Sequence, residues 1–173
     1  MELHRLGITD SMLAGRGLQL QSEAQQLVLA ETGSDGRQYL LTADAALAWH
    51  SMKQAAGADG INLLMISAFR SVARQAEIIR DKLEKNVPLA DILQVCAPPG
   101  YSEHHTGRAI DIATPEDPEL EISFETTAAF AWLQAHASAY GFTMSYPKGN
   151  LSGYQYEPWH WCFQPVEAAG ISI

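Results

Sequence analysis

The segment Arg108-Ala109-Ile110-Asp111-Ile112-Ala113 is the strongest constraint on what this chain folds into. In a strand, Ala109, Asp111 and Ala113 share one face, and Ile110 and Ile112 share the other. Both faces are apolar, so the strand reads as buried on both sides with a carboxylate enclosed in it. An enclosed carboxylate without a partner is expensive, and ion pairs, hydrogen bonds or a metal offset the cost. Backbone N–H groups, Arg108 or Arg74 are one way to satisfy it. The turn just before the strand suggests another, because it carries two adjacent histidines, His104 and His105.

A second unusual stretch is Tyr156 to Phe163, "YEPWHWCF", whose aromatic density favours a strand. His160 then shares a face with Cys162, while Trp159, Trp161 and Phe163 pack on the other. Alone, such a histidine reads as a core residue with one satisfied nitrogen. Glu157, ahead of Pro158, stands at the strand entrance. Together, one histidine of the turn, Asp111 and His160 supply nitrogen and oxygen donors for one tetrahedral Zn²⁺, with a position left for water. Glu157 is then close to a ligand without being one, and a carboxylate so placed accepts a proton from metal-acidified water. That combination hydrolyses amides.

Around these residues the pattern is α+β, with a small, mostly antiparallel sheet flanked by helices. Thr42 to Ala56 reads as a helix capped by Thr42 and ended by Gly57, with Ala45, Trp49, Met52 and Ala56 on its apolar stripe. The run Ile61 to Phe69 reads as a buried strand. Ser71 reads as the N-cap of a helix to about Asn86, with Val72, Ala76, Ile79 and Leu83 on one face. A short helix is expected over Pro88 to Val95 and another over Thr126 to Tyr140, stopped by Gly141. "FTMSYP" and "WHWCF" complete the strands, and the acidic "TPEDPELE" reads as a solvated loop.

At 173 residues the chain is expected to form a single domain, residues 1–173. A formal net charge of −9 excludes a general phosphate-backbone binder and hence a nucleic-acid partner. No apolar stretch is long enough to span a bilayer. The N-terminus lacks the pattern of a signal peptide, so the chain reads as cytoplasmic; a leader already removed places it in the cell envelope or periplasm instead. The two cysteines, Cys96 and Cys162, make no disulfide framework and read as buried thiols.

The residues also match a known pattern: "S-x-H-x-x-G-x-A-x-D" at Ser102, His104, Gly107, Ala109 and Asp111, and "E-P-W-H" at Glu157 to His160. In these motifs the chain resembles the zinc D-alanyl-D-alanine carboxypeptidases of the vancomycin-resistance D,D-carboxypeptidase type. Their superfamily is named for lysostaphin, the D-Ala-D-Ala metallopeptidases and hedgehog. The likeness runs from about Ile61 to Phe163, and residues 1–60 carry no placed motif. It implies a hedgehog/D-Ala-D-Ala peptidase-like fold with His104, Asp111 and His160 as the zinc ligands and Glu157 as general acid/base. His105 becomes a neighbour that shapes the turn. "SAFRSVARQ" matches the substrate-carboxylate segment, which assigns Arg70 and Gln75 to that role; a planar, always-charged Arg suits a free α-carboxylate. Ser102 is expected to hydrogen-bond substrate, and Tyr146 to donate to a developing oxyanion. Ser145 stands where members often carry a basic residue in "GF-x-x-R-Y-P", and the "KGNLSGYQY" loop is short.

The resemblance therefore implies a zinc carboxypeptidase releasing C-terminal D-alanine from peptidoglycan stem peptides or muropeptides. The alternatives on the same scaffold are an L,D-carboxypeptidase, a D-Ala-D-Ala dipeptidase and an endolysin-like endopeptidase. An alternative of another class is a non-catalytic, zinc-containing muropeptide-binding module. Sequence does not decide among the peptide specificities or the oligomeric state.

Overall fold

Antiparallel pairing organises the chain, and the computed structural model describes residues 2–164 of it. Two single-turn helices come first, α1 (Glu2–Arg5) and α2 (Asp10–Leu13). A hairpin of β1 (Val28–Thr32) and β2 (Gln38–Leu41) precedes α3 (Ala43–Ala58). There follow β3 (Leu64–Ser67), α4 (Val72–Glu84), α5 (Leu89–Val95), β4 (Ala109–Ala113), α6 (Ala128–His136), β5 (Phe142–Met144) and β6 (His160–Phe163). The last four strands form one sheet in the order β3-β4-β6-β5, every neighbour antiparallel. This is the expected α+β architecture.

β4 is buried at all five positions, as its two apolar faces require. Ile110 and Ile112 enter a core with Trp49 and Met52 of α3, Leu133 of α6 and Phe142 of β5. Each such side chain contributes roughly 1.5–3 kcal/mol on leaving water. The opposite face of β4 carries Ala109, Asp111 and Ala113. α3 and α6 therefore pack against one side of the strand, while Ile78 of α4 and Val95 of α5 line the cleft on the side of the site.

Several boundaries differ from the sequence reading, each for a local reason. α3 continues through Gly57 to Ala58, and the chain turns at Asp59 and Gly60, whose φ is +78°. A glycine costs a helix only about 1 kcal/mol, less than the packing of Met52 and Ala56 returns. Thr42 precedes α3 without a side-chain cap bond. The apolar run 61–69 pairs with β4 only over β3, because the backbone beyond Ser67 bonds elsewhere: Phe69 N–H to Leu40 O of β2 at 3.0 Å and Arg70 N–H to His104 O at 3.1 Å. α6 stops at His136 and passes into a 3₁₀ turn, Ala137–Tyr140, closed by Gly141 at φ +79°. Ser71 does cap α4, accepting from Arg74 N–H at 3.0 Å.

The first sixty residues hold the β1–β2 hairpin, which the sequence reading does not place although Asp35-Gly36 is a hairpin turn signal, and an irregular strap at residues 18–27. The strap lies along the turn before β4: Gln21 N–H donates to Gly100 O and Ala24 N–H to His105 O, both at 2.8 Å. Glu23 of the strap accepts Val72 N–H at 2.6 Å, adding a carboxylate to the N-terminus of α4. Further upstream, Leu6 and Ile8 join Ala76 and Ile79 of α4 and Ile92 of α5 in a second core.

Candidate metal centre and substrate cleft

The register of the sheet brings the donors together. Asp111 is directly opposite His160 across β4–β6, and Ser67 is opposite Asp111 across β3–β4. Facing positions on neighbouring strands have their Cβ atoms about 4.5–5.5 Å apart, so these side chains meet. His104 arrives from the 3₁₀ turn Glu103–Thr106, which Gly107 closes in the left-handed region at φ +65°. One ligand atom from each of His104, Asp111 and His160 lies within 4.8 Å of the others, and all three residues are buried. His104 Nε2 is 3.2 Å from Asp111 Oδ2, and His160 Nδ1 is 3.0 Å from Asp111 Oδ1.

Each imidazole is oriented by its other nitrogen. His104 Nδ1 is 2.8 Å from the Ala68 carbonyl, which only accepts, so Nδ1 carries a proton and Nε2 is the nitrogen left to share a cation with Asp111. His160 Nε2 is 2.9 Å from Glu103 Oε2, another acceptor, so Nδ1 turns toward Asp111. Burial disfavours the Asp111 carboxylate, but the charges and hydrogen bonds of His104 and His160 outweigh it and hold the carboxyl well below its usual range. His105 points elsewhere: Nδ1 donates to Arg70 O at 2.6 Å and Nε2 accepts Gly100 N–H at 3.1 Å. Burial opposes a charged His160 imidazole, but the carboxylates of Asp111 and Glu103 outweigh it and push the group up to about 10. With a cation in place of its Nδ1 proton, two imidazole nitrogens and an ionised carboxylate, each outer nitrogen already bonded, are a donor set that fits zinc.

The three donors line one wall of a cleft of about 250 Å³, together with Arg70, Ser102, Tyr146 and Glu157. A larger open groove, about 1050 Å³, runs beside the strap, and none of the three donors lines it. Glu157 reaches to 4.0 Å of His160 Nδ1. Burial pushes its carboxyl up to about 7; His160 opposes the rise and Asp111 adds to it. The Tyr146 ring lies 4.7 Å from that of His160. Burial, with Glu103 nearby, drives the Tyr146 hydroxyl well above the ordinary phenol range, so it stays protonated as a donor.

Arg70 is held from behind. Nη1 donates to Gln75 Oε1 at 2.9 Å and Nη2 to Ser67 Oγ at 3.0 Å, while Asp111 Oδ2 is 4.0 Å away. Gln75 is fully buried outside the cleft wall, its Nε2 donating to Ala97 O at 2.7 Å. It therefore acts on Arg70 and does not face the cleft. Arg74 pairs with Glu77 at 2.9 Å, so the arginine near Asp111 is Arg70. Of the cysteines, Cys162 is buried, whereas Cys96 is only half-buried and lines the cleft.

Two contributors escaped the sequence reading. Ser67 lay inside an apolar run, where a lone serine reads as a strand residue, and only the β3–β4 register turns it toward Arg70. Glu103 sits between motif positions in a polar turn and carries no signal of its own; its partner His160 is 57 residues away.

A His–Asp–His set on a cleft, two of its members on neighbouring strands and the third on a 3₁₀ turn, faced by a carboxylate and an arginine, has the make-up of a single-metal hydrolase site. A family model described as VanY, D-alanyl-D-alanine carboxypeptidase, matches residues 38–166, and the chain belongs to that family. The match begins at β2, well before the motif-bearing stretch. YodJ of Bacillus subtilis (strain 168) is 37% identical over 132 residues, covering 74% of this chain and 48% of that protein. The chain thus spans about half of YodJ's length. The bifunctional D-Ala-D-Ala dipeptidase and D-Ala-D-Ala carboxypeptidase VanXYC of Enterococcus gallinarum is 31% identical over 148 residues, 83% of this chain and 76% of that one. Among solved structures, the LdcB LD-carboxypeptidase superposes with a TM-score of 0.73 at 33% identity, covering 83% of this chain and 70% of that one. No helix among the described residues is long and apolar enough to cross a membrane.

Proposed function

We propose that this chain is a zinc-dependent carboxypeptidase, working as one peptidase domain, that removes C-terminal D-alanine from peptidoglycan stem peptides or muropeptides. The observation that carries the reading is the convergence of His104 Nε2, Asp111 and His160 Nδ1 on one point of a cleft that also contains Glu157 and Arg70. His104, Asp111 and His160 hold the metal. When bound, zinc acts as a Lewis acid toward a carbonyl and lowers the pKa of water toward neutrality.

The protein groups divide the remaining work. Arg70, with its guanidinium braced by Gln75 and Ser67, binds the terminal carboxylate through its remaining N–H donors. That preference for a free carboxylate favours exo-cleavage over endopeptidase action. Glu157, whose carboxyl titrates near neutrality, accepts a proton from the attacking water and returns it to the leaving amine. Tyr146 and Ser102 line the same cleft and hydrogen-bond the peptide. A purely structural metal site has use for neither Glu157 nor Arg70, which argues against a non-catalytic binding module.

The likeness to the LdcB LD-carboxypeptidase supports a second reading, release of D-alanine from a tetrapeptide stem. Incubating the zinc-loaded chain with pentapeptide and tetrapeptide stems and weighing the products separates the two. Loss of one alanine from the pentapeptide is expected under the first reading and from the tetrapeptide under the second. Binding of both without release of any amino acid defeats the enzyme assignment.

A further inference from the structure

We propose that Glu103 is a positioning residue for the metal centre, fixed by Ser145 and holding His160 in the orientation that leaves Nδ1 free to bind metal. This rests on the reading that His104, Asp111 and His160 hold zinc. Glu103 Oε2 accepts from both His160 Nε2, at 2.9 Å, and Ser145 Oγ, at 2.6 Å. The glutamate does not line the cleft; it borders a separate small hollow that Ser145 also lines. It therefore touches the back of a ligand and not the substrate.

The argument follows from imidazole chemistry. His160 ligates through Nδ1 only if the proton resides on Nε2, and a carboxylate at Nε2 places it there. The same carboxylate makes the ring a more basic donor and stops it rotating. The Tyr146 ring covers the imidazole at 4.7 Å, so Glu103 and Tyr146 together leave the ring one position. A free glutamate has several rotamers, and the Ser145 hydroxyl selects the one aimed at His160. Its backbone is held as well, since Thr106 Oγ1 donates to Glu103 O at 2.6 Å. Because Glu103 adjoins His104, one 3₁₀ turn supplies one ligand and the support of another, coupling the two histidines through a single rigid segment.

The test compares the full chain with Glu103→Met, Glu103→Gln and Ser145→Ala, reading the zinc Kd by competition with a chromophoric chelator. Turnover of stem peptide at saturating zinc is read in parallel. Methionine keeps the volume and removes the acceptor, so zinc binding is expected to weaken about 10–100-fold, the usual cost of a lost outer partner. Glutamine retains a carbonyl that accepts Nε2–H and is expected to restore most of the affinity. Ser145→Ala is expected to lose less than Glu103→Met, with KM unchanged at saturating zinc. Zinc affinity of Glu103→Met equal to that of the unsubstituted chain overturns the proposal, and so does a Glu103→Gln variant as weak as Glu103→Met. If Glu103→Met does not fold, Ser145→Ala decides alone, and an unaltered Kd in that variant overturns the proposal. An unsubstituted chain that binds no zinc defeats the metal reading itself, a different result from either.

Discussion

Asp111 and His160 face each other across the β4–β6 ladder, and the carboxylate Oδ1 lies 3.0 Å from His160 Nδ1. This pairing converts two residues 49 positions apart into adjacent donors. Asp111→Ala removes one of the three donors and the partner of both histidines. Zinc content measured by elemental analysis is expected to collapse, with an affinity loss beyond the ~10–100-fold typical of an outer-shell change. Retention of stoichiometric zinc by this variant would show that the cation binds elsewhere.

Glu157 has a different expected phenotype. Glu157→Gln keeps the size of the side chain and leaves the three donors intact, so zinc content and thermal unfolding should match those of the unsubstituted chain. The rate should drop by ~10²–10⁴, the usual contribution of a positioned acid/base. Steady-state kinetics on stem peptide, run beside the metal analysis, check both halves.

For Arg70 the substitution to test is lysine, which keeps the charge but loses the planar fork and cannot reach both Gln75 Oε1 and Ser67 Oγ as the guanidinium does. Losing a charged hydrogen bond costs about 1.5–3 kcal/mol, which lowers kcat/KM by roughly 10–150-fold. A C-terminally amidated peptide should be a poor substrate for the unsubstituted chain and should lose little more with Arg70→Lys. Equal sensitivity of acid and amide peptides would remove Arg70 from carboxylate recognition.

Gln75 is expected to act through Arg70. Gln75→Leu fits the buried volume but leaves the Ala97 carbonyl and an Arg70 N–H without partners. That should destabilise the fold by about 1–3 kcal/mol, read by urea unfolding. It should also raise KM, and much of the KM effect should vanish in an Arg70→Lys background. Additive effects in that double-mutant cycle would mean the two residues work separately.

Gly107 closes the turn that carries His104. A Cβ there would come within 2.7 Å of Leu27 Cδ2 and 3.3 Å of Thr42 N, with the backbone at φ +65°. Gly107→Ala should therefore cost about 1–3 kcal/mol through overpacking and left-handed strain, and weaken zinc binding as the turn shifts. A thermal melt indistinguishable from that of the unsubstituted chain would refute this.

Much of the site was legible in the sequence because its chemistry conflicts with its surroundings. A carboxylate inside Ala109–Ala113 and a histidine inside a run of aromatics are each costly to bury, and that cost marks them whatever the fold. The Ser71 cap and the strand β4 were readable for the same local reason, since they depend on neighbours a few positions away. The resemblance of the "S-x-H-x-x-G-x-A-x-D" and "E-P-W-H" motifs assigned His104 over His105, which spacing alone left open.

Other features depended on partners distant in the chain. Gly57 stays inside α3 because Met52 and Ala56 pack into the core. The strap at residues 18–27 has no periodicity, and its backbone is satisfied only by the turn it lies against. Gln75 and Ser67 gain their roles from Arg70, and Glu103 from His160. The primary structure thus determined which residues are too costly to bury alone and where the local elements begin. The β4–β6 register and the 3₁₀ turn decided which nitrogen of each histidine is free, because that depends on an acceptor brought from elsewhere in the chain.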